Sequence, residues 1–176
     1  MLKKIAIVVL ILIAAILAFA ATKPNDFRVE RSASIQAPPE KIFPLIDDFH
    51  NWPAWSPWEK LDPAMQRTLS GPASGPGAVY AWKGNSKVGQ GRMEILQAAA
   101  PSRVAIKLDF LEPFEGHNTT EFVLQPQGSA TQVNWAMYGP NTYMGKLMSV
   151  FMSMDKMIGK DFEAGLANLK AAAEKS

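Results

Sequence analysis

The sequence predicts an α+β fold: one curved antiparallel sheet of about seven strands, a long C-terminal helix laid on it, and a separate apolar helix in front. Three observations carry this. An apolar run, unbroken from Ile5 to Ala21, dominates the first 22 residues, period-two alternation recurs in short segments from Phe27 to Met137, and the period changes to three-and-four after Gly139-Pro140. The chain has 176 residues with 18 Lys+Arg, 16 Asp+Glu and no cysteine. One ordinary domain fits that length. A net charge of +2 lacks the basic field of a nucleic-acid binder, and the missing thiols exclude thiolate catalysis and zinc fingers.

The N-terminal run, MLKKIAIVVLILIAAILAFAAT, carries charge only at Lys3 and Lys4. As a helix, residues 5–21 span about 26 Å, close to the hydrocarbon core of a bilayer. The stretch is longer than a usual signal-peptide core, so an uncleaved membrane anchor is preferred. The alternative is a secreted protein cleaved near Ala20, within the small-x-small triplet Ala18-Phe19-Ala20. With the Lys pair held inside, the chain is a single-pass inner (cytoplasmic) membrane protein whose domain lies on the periplasmic or extracellular side. Residues 23–26 form a short linker and 27–176 the folded domain. From Lys23 onward the chain is formally neutral, because removing Lys3 and Lys4 leaves 16 basic against 16 acidic groups.

Within the domain, Val29, Ala33 and Ile35 alternate with polar residues as a first strand. Pro38-Pro39 opens a helix over 40–48 with Ile42, Phe43, Leu45 and Ile46 as its stripe, and Pro44 is expected to bend or shorten it. A loop dense in Trp and Pro follows, from His50 to Glu59. Strands are expected over 65–70, 78–82 and 88–97, and then around Val104–Phe110, Phe122–Leu124 and Val133–Met137, with turns at the Gly/Pro cluster 71–77 and at Lys83-Gly84-Asn85. A short helix begins near Thr142. A long one runs from 154 to 173 with Ile158, Phe162, Leu166 and Leu169 on one stripe. Gly159 and Gly165 each cost that helix about 1 kcal/mol relative to Ala, which close approach to another backbone would explain.

Four stretches carry a family resemblance: Pro38-Pro39-Glu40-Lys41-Ile42-Phe43; the loop Phe49…Trp52…Trp55-Ser56-Pro57-Trp58-Glu59; Thr131-x-Val133-x-Trp135; and Gly159-Lys160-Asp161-Phe162-Glu163 through Gly165, Leu166, Leu169 and Lys170. Together they resemble the SRPBCC or START-like helix-grip superfamily, in particular the bacterial polyketide cyclase/dehydrase-and-lipid-transport group, across about 27–174. The resemblance implies a cavity between the concave sheet and the C-terminal helix that takes a hydrophobic ligand. It leaves the activity open, since one fold hosts many functions.

Candidate contacts follow from residue type and place. Trp52, Trp55 and Trp58 either rim a cavity mouth or membrane interface, or pack beneath their loop. Trp82, Phe110, Trp135 and Met137 belong to strands, and Met148, Met152 and Phe162 to the helices that would cover them. Glu59 and His50 are weak candidates for a proton shuttle. The only histidines, His50 and His117, are far apart and lack metal-ligand spacing, so no metal and no other cofactor is expected. Met144, Met148, Met152, Met154 and Met157 could hold Cu(I), but with Leu147 and Phe151 on the same stripe they read as adaptable packing. The preferred function is membrane-tethered binding of a hydrophobic small molecule or lipid by a monomer that binds no nucleic acid. A cyclase/dehydratase-like enzyme and a protein-interaction module using the Trp loop are the alternatives.

Overall fold

A computed structural model describes residues 1–175, apart from the Met154 side chain. The first helix, α1 (Leu2–Ala21), is apolar on every side yet buries only Ala20. It is long and apolar enough to cross a membrane.

The domain begins with β1 (Asp26–Ile35), which turns Val29 and Ile35 inward. Helix α2 (Pro39–Asp47) starts on Pro39, where a missing N–H costs nothing, and buries Ile42, Phe43 and Ile46. Pro44 is accommodated inside it, and the helix stops at Asp47. The Trp/Pro segment, expected as a plain loop, folds into two 3-10 helices, Phe49–Ala54 and Pro57–Lys60. Its side chains close the end of α2. Asn51 Nδ2 donates to the Pro44 carbonyl (2.9 Å), Trp55 Nε1 to Leu45 (2.7 Å) and Trp52 Nε1 to Ile46 (3.0 Å). A helix end leaves such carbonyls unpaired, and an indole satisfies one while burying its ring.

Six strands follow: β2 (Gln66–Ser70), β3 (Val79–Lys83), β4 (Gln90–Ala99), β5 (Arg103–Glu112), β6 (Gly116–Gln127) and β7 (Ala130–Pro140). They join β1 in one seven-stranded sheet ordered β1-β7-β6-β5-β4-β3-β2, antiparallel throughout. The strands run longer than their apolar alternation suggests, because ladder pairing extends into polar ends such as Gly116–Thr119. Strand β2 is exposed at every position and forms one edge. The short helix α3 (Tyr143–Phe151) then leads to α4 (Met154–Ala173), which buries Phe162, Leu166, Leu169 and Ala173.

Two contacts fix α4. Arg31 on β1 reaches Asp155 (2.9 Å) and Glu163 (2.7 Å), one at each end of a two-turn span. Deeper in, the Phe162 ring stacks on Trp135 of β7 at 4.0 Å with planes 9° apart. The glycines of α4 serve these side chains, which corrects the expectation of a backbone approach. A Cβ on Gly165 would lie 2.6 Å from Trp135 Cζ3 and 3.2 Å from Pro57 Cδ, whereas one on Gly159 would meet the Arg31 guanidinium.

These two positions are expected to separate. Helix propensity alone would make either Gly→Ala change stabilising by about 1 kcal/mol. Gly165→Ala should instead lower stability by about 1–3 kcal/mol, as overpacking a rigid core does, whereas the flexible Arg31 can move aside for Gly159→Ala. Urea denaturation of both variants checks this; equal effects would refute it.

Candidate functional site

Between the concave face of the sheet and the pair α3 and α4 lies a cavity of about 370 Å³, within the range of small-molecule sites. Of the residues singled out from sequence, Trp52, Trp58, Trp82, Phe110, Trp135, Met137, Met148 and Phe162 stand on its wall. Trp55 and Met152 do not. Trp55 is 1% exposed and packs behind the wall between Trp52 and Trp135, while Met152 is exposed at the end of α3. The Trp loop therefore divides: Trp55 is core, and Trp52 and Trp58 face the cavity from beside it. Of the remaining α3–α4 methionines, Met144 and Met157 line the cavity. Among the described residues, no cluster of three or more His, Asp or Glu could hold a metal.

The wall is built in layers of aromatic edges. Trp135 is sandwiched between Phe162 and Phe122 (4.8 Å), and Trp58 meets its edge at 5.7 Å and 89°. Its indole Nε1 donates to Thr120 Oγ1 (2.8 Å), which in turn donates to the Ala136 carbonyl (3.0 Å), so no donor points into the cavity from this ring. Tyr80 continues the series toward Trp82, and Trp82 Nε1 donates to the Val88 carbonyl. The Trp82 ring occupies the space over Gly91, where a Cβ would clash with it.

Polar groups are few and placed. The Glu59 carboxylate is buried, 6% exposed, and both oxygens are engaged: Arg67 Nε donates to Oε2 (2.6 Å) and Tyr80 Oη to Oε1 (2.5 Å). Burial, reinforced by the hydrogen bond to Glu59, pushes the Tyr80 phenol well above its ordinary range, so it stays a donor at neutral pH. Asp161, one residue before Phe162, also lines the cavity. Burial raises its pKa, and the Trp58 indole only partly offsets this. His50, by contrast, lies outside the cavity, exposed, with its Nδ1 2.7 Å from Asp48 Oδ1. His117 is likewise exposed and paired with Asp109, whose hydrogen bond raises the imidazole pKa. Sequence reasoning named Glu59, and Arg67 and Tyr80 among possible polar contacts in the cavity, but did not join the three. Alternation could not assign Tyr80, and Arg67 sits on a fully exposed strand. Asp161 read only as a polar flank of the α4 stripe.

The model of the family described as polyketide cyclase / dehydrase and lipid transport matches residues 26–174. The chain belongs to that family. Solved structures agree on the fold. Protein CV1439 from Chromobacterium violaceum superposes with a TM-score of 0.60 at 15% identity, covering 88% of this chain and 100% of that one. The Aha1 protein of Colwellia psychrerythraea, a dimer in solution, gives 0.58 at 18% identity over 84% and 96%. The di-domain aromatase/cyclase BexL of the BE-7585A biosynthetic pathway gives 0.61 at 16% identity, covering 91% of this chain and 54% of BexL. No curated protein matches the sequence. The α+β helix-grip architecture is thus that of the polyketide cyclase/dehydrase family, with an apolar N-terminal helix added in front of residue 26.

Two changes test the polar wall. Tyr80→Phe removes the donor from Glu59 Oε1 and should cost about 1–3 kcal/mol, as leaving a buried acceptor unpaired does. Guanidinium denaturation reads it, and a neutral result would mean that water replaces the phenol. For Asp161 the folded pKa is raised, so the fold favours the protonated form; that contribution is complete below about pH 4 and is lost as pH rises through the folded value. Asp161→Asn should therefore raise Tm at pH 7 and change it little at pH 3.

Proposed function

We propose that this protein binds a hydrophobic small molecule or lipid in the cavity between the sheet and α4, while α1 tethers it to a membrane. The observation that carries the reading is the wall itself: an aromatic and Met-lined cavity of about 370 Å³ with only a few polar groups at fixed places. Methionines on α3 and α4 suit an occupant of variable shape. Three carboxylates line the cavity, Glu59, Glu115 and Asp161, against one cation, Lys87, and this balance favours a neutral ligand carrying a hydroxyl or other hydrogen-bond donor over an acid. Asp161 is a freer acceptor than Glu59, which is already bound on both oxygens.

Helix α1 is read as a retained anchor. Its end is part of the domain's packing: Ala20 is buried and the Leu17 carbonyl accepts from Tyr143 Oη (3.1 Å). With Lys3 and Lys4 on the cytoplasmic side, the domain lies across the inner membrane.

The other readings have less support. A proton shuttle at Glu59 would first have to break an ion pair, and His50 is remote from the cavity. A docking module would need its tryptophans outside, yet Trp52 and Trp55 are 3% and 1% exposed.

Trp52, Trp58, Trp82 and Trp135 report on the cavity directly. A brominated long-chain alcohol added to the full chain in detergent micelles should quench their fluorescence saturably, and more strongly than the matching brominated acid at pH 7. The paired change Met93→Phe/Met137→Phe, which adds volume to two walls, should weaken the quenching several-fold in a protein that still melts cooperatively. Equal quenching in both folded proteins, or none in either, would overturn the proposal.

A further inference from the structure

Seven residues that line the cavity are also open to the outside: the apolar Phe114 (55% exposed), Met144 (46%) and Met157 (42%), together with Lys87, Glu115, Pro140 and Thr142. The first three come from the β5–β6 turn, the first turn of α3 and the first turns of α4, and so mark the mouth. Leu111 near the end of β5 and Phe151 and Met152 at the end of α3 are exposed as well. Scattered exposed apolar residues need no explanation, whereas a group gathered round one opening does.

The mouth is attached to α1. Helix α3 touches α1 near the C-terminal end of α1. Tyr143 donates to the Leu17 carbonyl, and Lys146 Nζ to Asn25 Oδ1 (2.6 Å) in the linker. At 1.5 Å per residue α1 is about 30 Å long, one hydrocarbon thickness, and Leu17 lies four residues, about 6 Å, inside its C-terminal end. When α1 spans a bilayer, the first turn of α3 therefore sits at the boundary between acyl chains and headgroups. Tyr143 there occupies the place aromatic residues favour at such an interface. A short helix with an apolar outer face is also what lies flat in that layer.

From this we infer that the cavity opens into the bilayer spanned by α1, so that the ligand passes between the lipid leaflet and the protein through the gap between α3 and the Phe114 turn. The occupant of the apolar rim is the lipid surface of the leaflet from which α1 emerges. This rests on the reading of α1 as a retained span. It explains why Phe114, Met144 and Met157 stand exposed at the mouth of the cavity, beside polar residues such as Lys87 and Glu115 that suit headgroups. It also removes the aqueous step that a hydrophobic ligand would otherwise face.

The chain contains no cysteine, so single cysteines can be introduced cleanly. Phe114→Cys and Met144→Cys, labelled with an environment-sensitive fluorophore, are placed in the full chain in phosphatidylcholine vesicles, with and without lipid spin-labelled near the top of its acyl chain. Ser129→Cys is the control. It lies in the exposed turn after β6, eleven or more residues from the Gly116 end, about 36 Å along the strand. Labels at 114 and 144 are expected to be quenched several-fold more than the label at 129. A chain that floats with the vesicles but is quenched equally weakly at all three positions overturns the inference. A chain that does not float overturns the anchor beneath it. Neither outcome depends on a bound ligand, so failure here is distinguishable from failure of the brominated-alcohol test.

Discussion

The stack of Phe162 on Trp135 is the contact on which the rest of the domain depends. It is where the C-terminal helix meets the sheet, and it holds because three separate choices agree. Gly165 leaves room for the indole, Thr120 takes its N–H, and Phe122 supports its other face. Offset and edge-on aromatic pairs contribute about 0.5–1.5 kcal/mol each beyond their burial, and here several share one ring. The cavity exists because this stack holds α4 against one part of the sheet while the sheet curves away beyond it.

The Trp/Pro segment links that centre to the N-terminal helix of the domain. Trp52 and Trp55 close the end of α2 with their indole N–H groups and put their rings into the core, so one pair of residues both terminates a helix and fills the space beneath it. Trp58, without such a bond to α2, turns to the cavity and to Asp161. Residues of one type at even spacing have acquired different roles from what lies within reach of each indole nitrogen.

Much of the architecture was legible in the sequence because burial here is periodic. Alternation at Val104–Phe110 and Val133–Met137 located strands, and the Ile158-Phe162-Leu166-Leu169 stripe located α4 over the residues observed. What remained hidden is not periodic. The 3-10 turns at Phe49–Ala54 depend on contacts with α2, to which no local propensity points. Tyr80 could not be assigned because its role depends on Glu59, 21 positions earlier, and on Arg67 from an edge strand with no buried face. The expectation that Gly165 meets backbone failed for a similar reason: sequence reports that space is needed, without identifying the neighbour. Eight of the ten expected cavity residues stand on the wall, and the two exceptions, Trp55 and Met152, each sit just past the end of a helix, where the backbone leaves the helical path.

The link between α1 and the domain is very short. Helix α1 ends at Ala21 and β1 starts at Asp26, so the four residues between them reach about 14 Å even when fully extended. With α1 retained in a membrane, as proposed, such a tether would fix the height of the domain above the lipid and confine its search to two dimensions. Any ligand would then be received from, and surrendered to, neighbours that diffuse to it in the same plane.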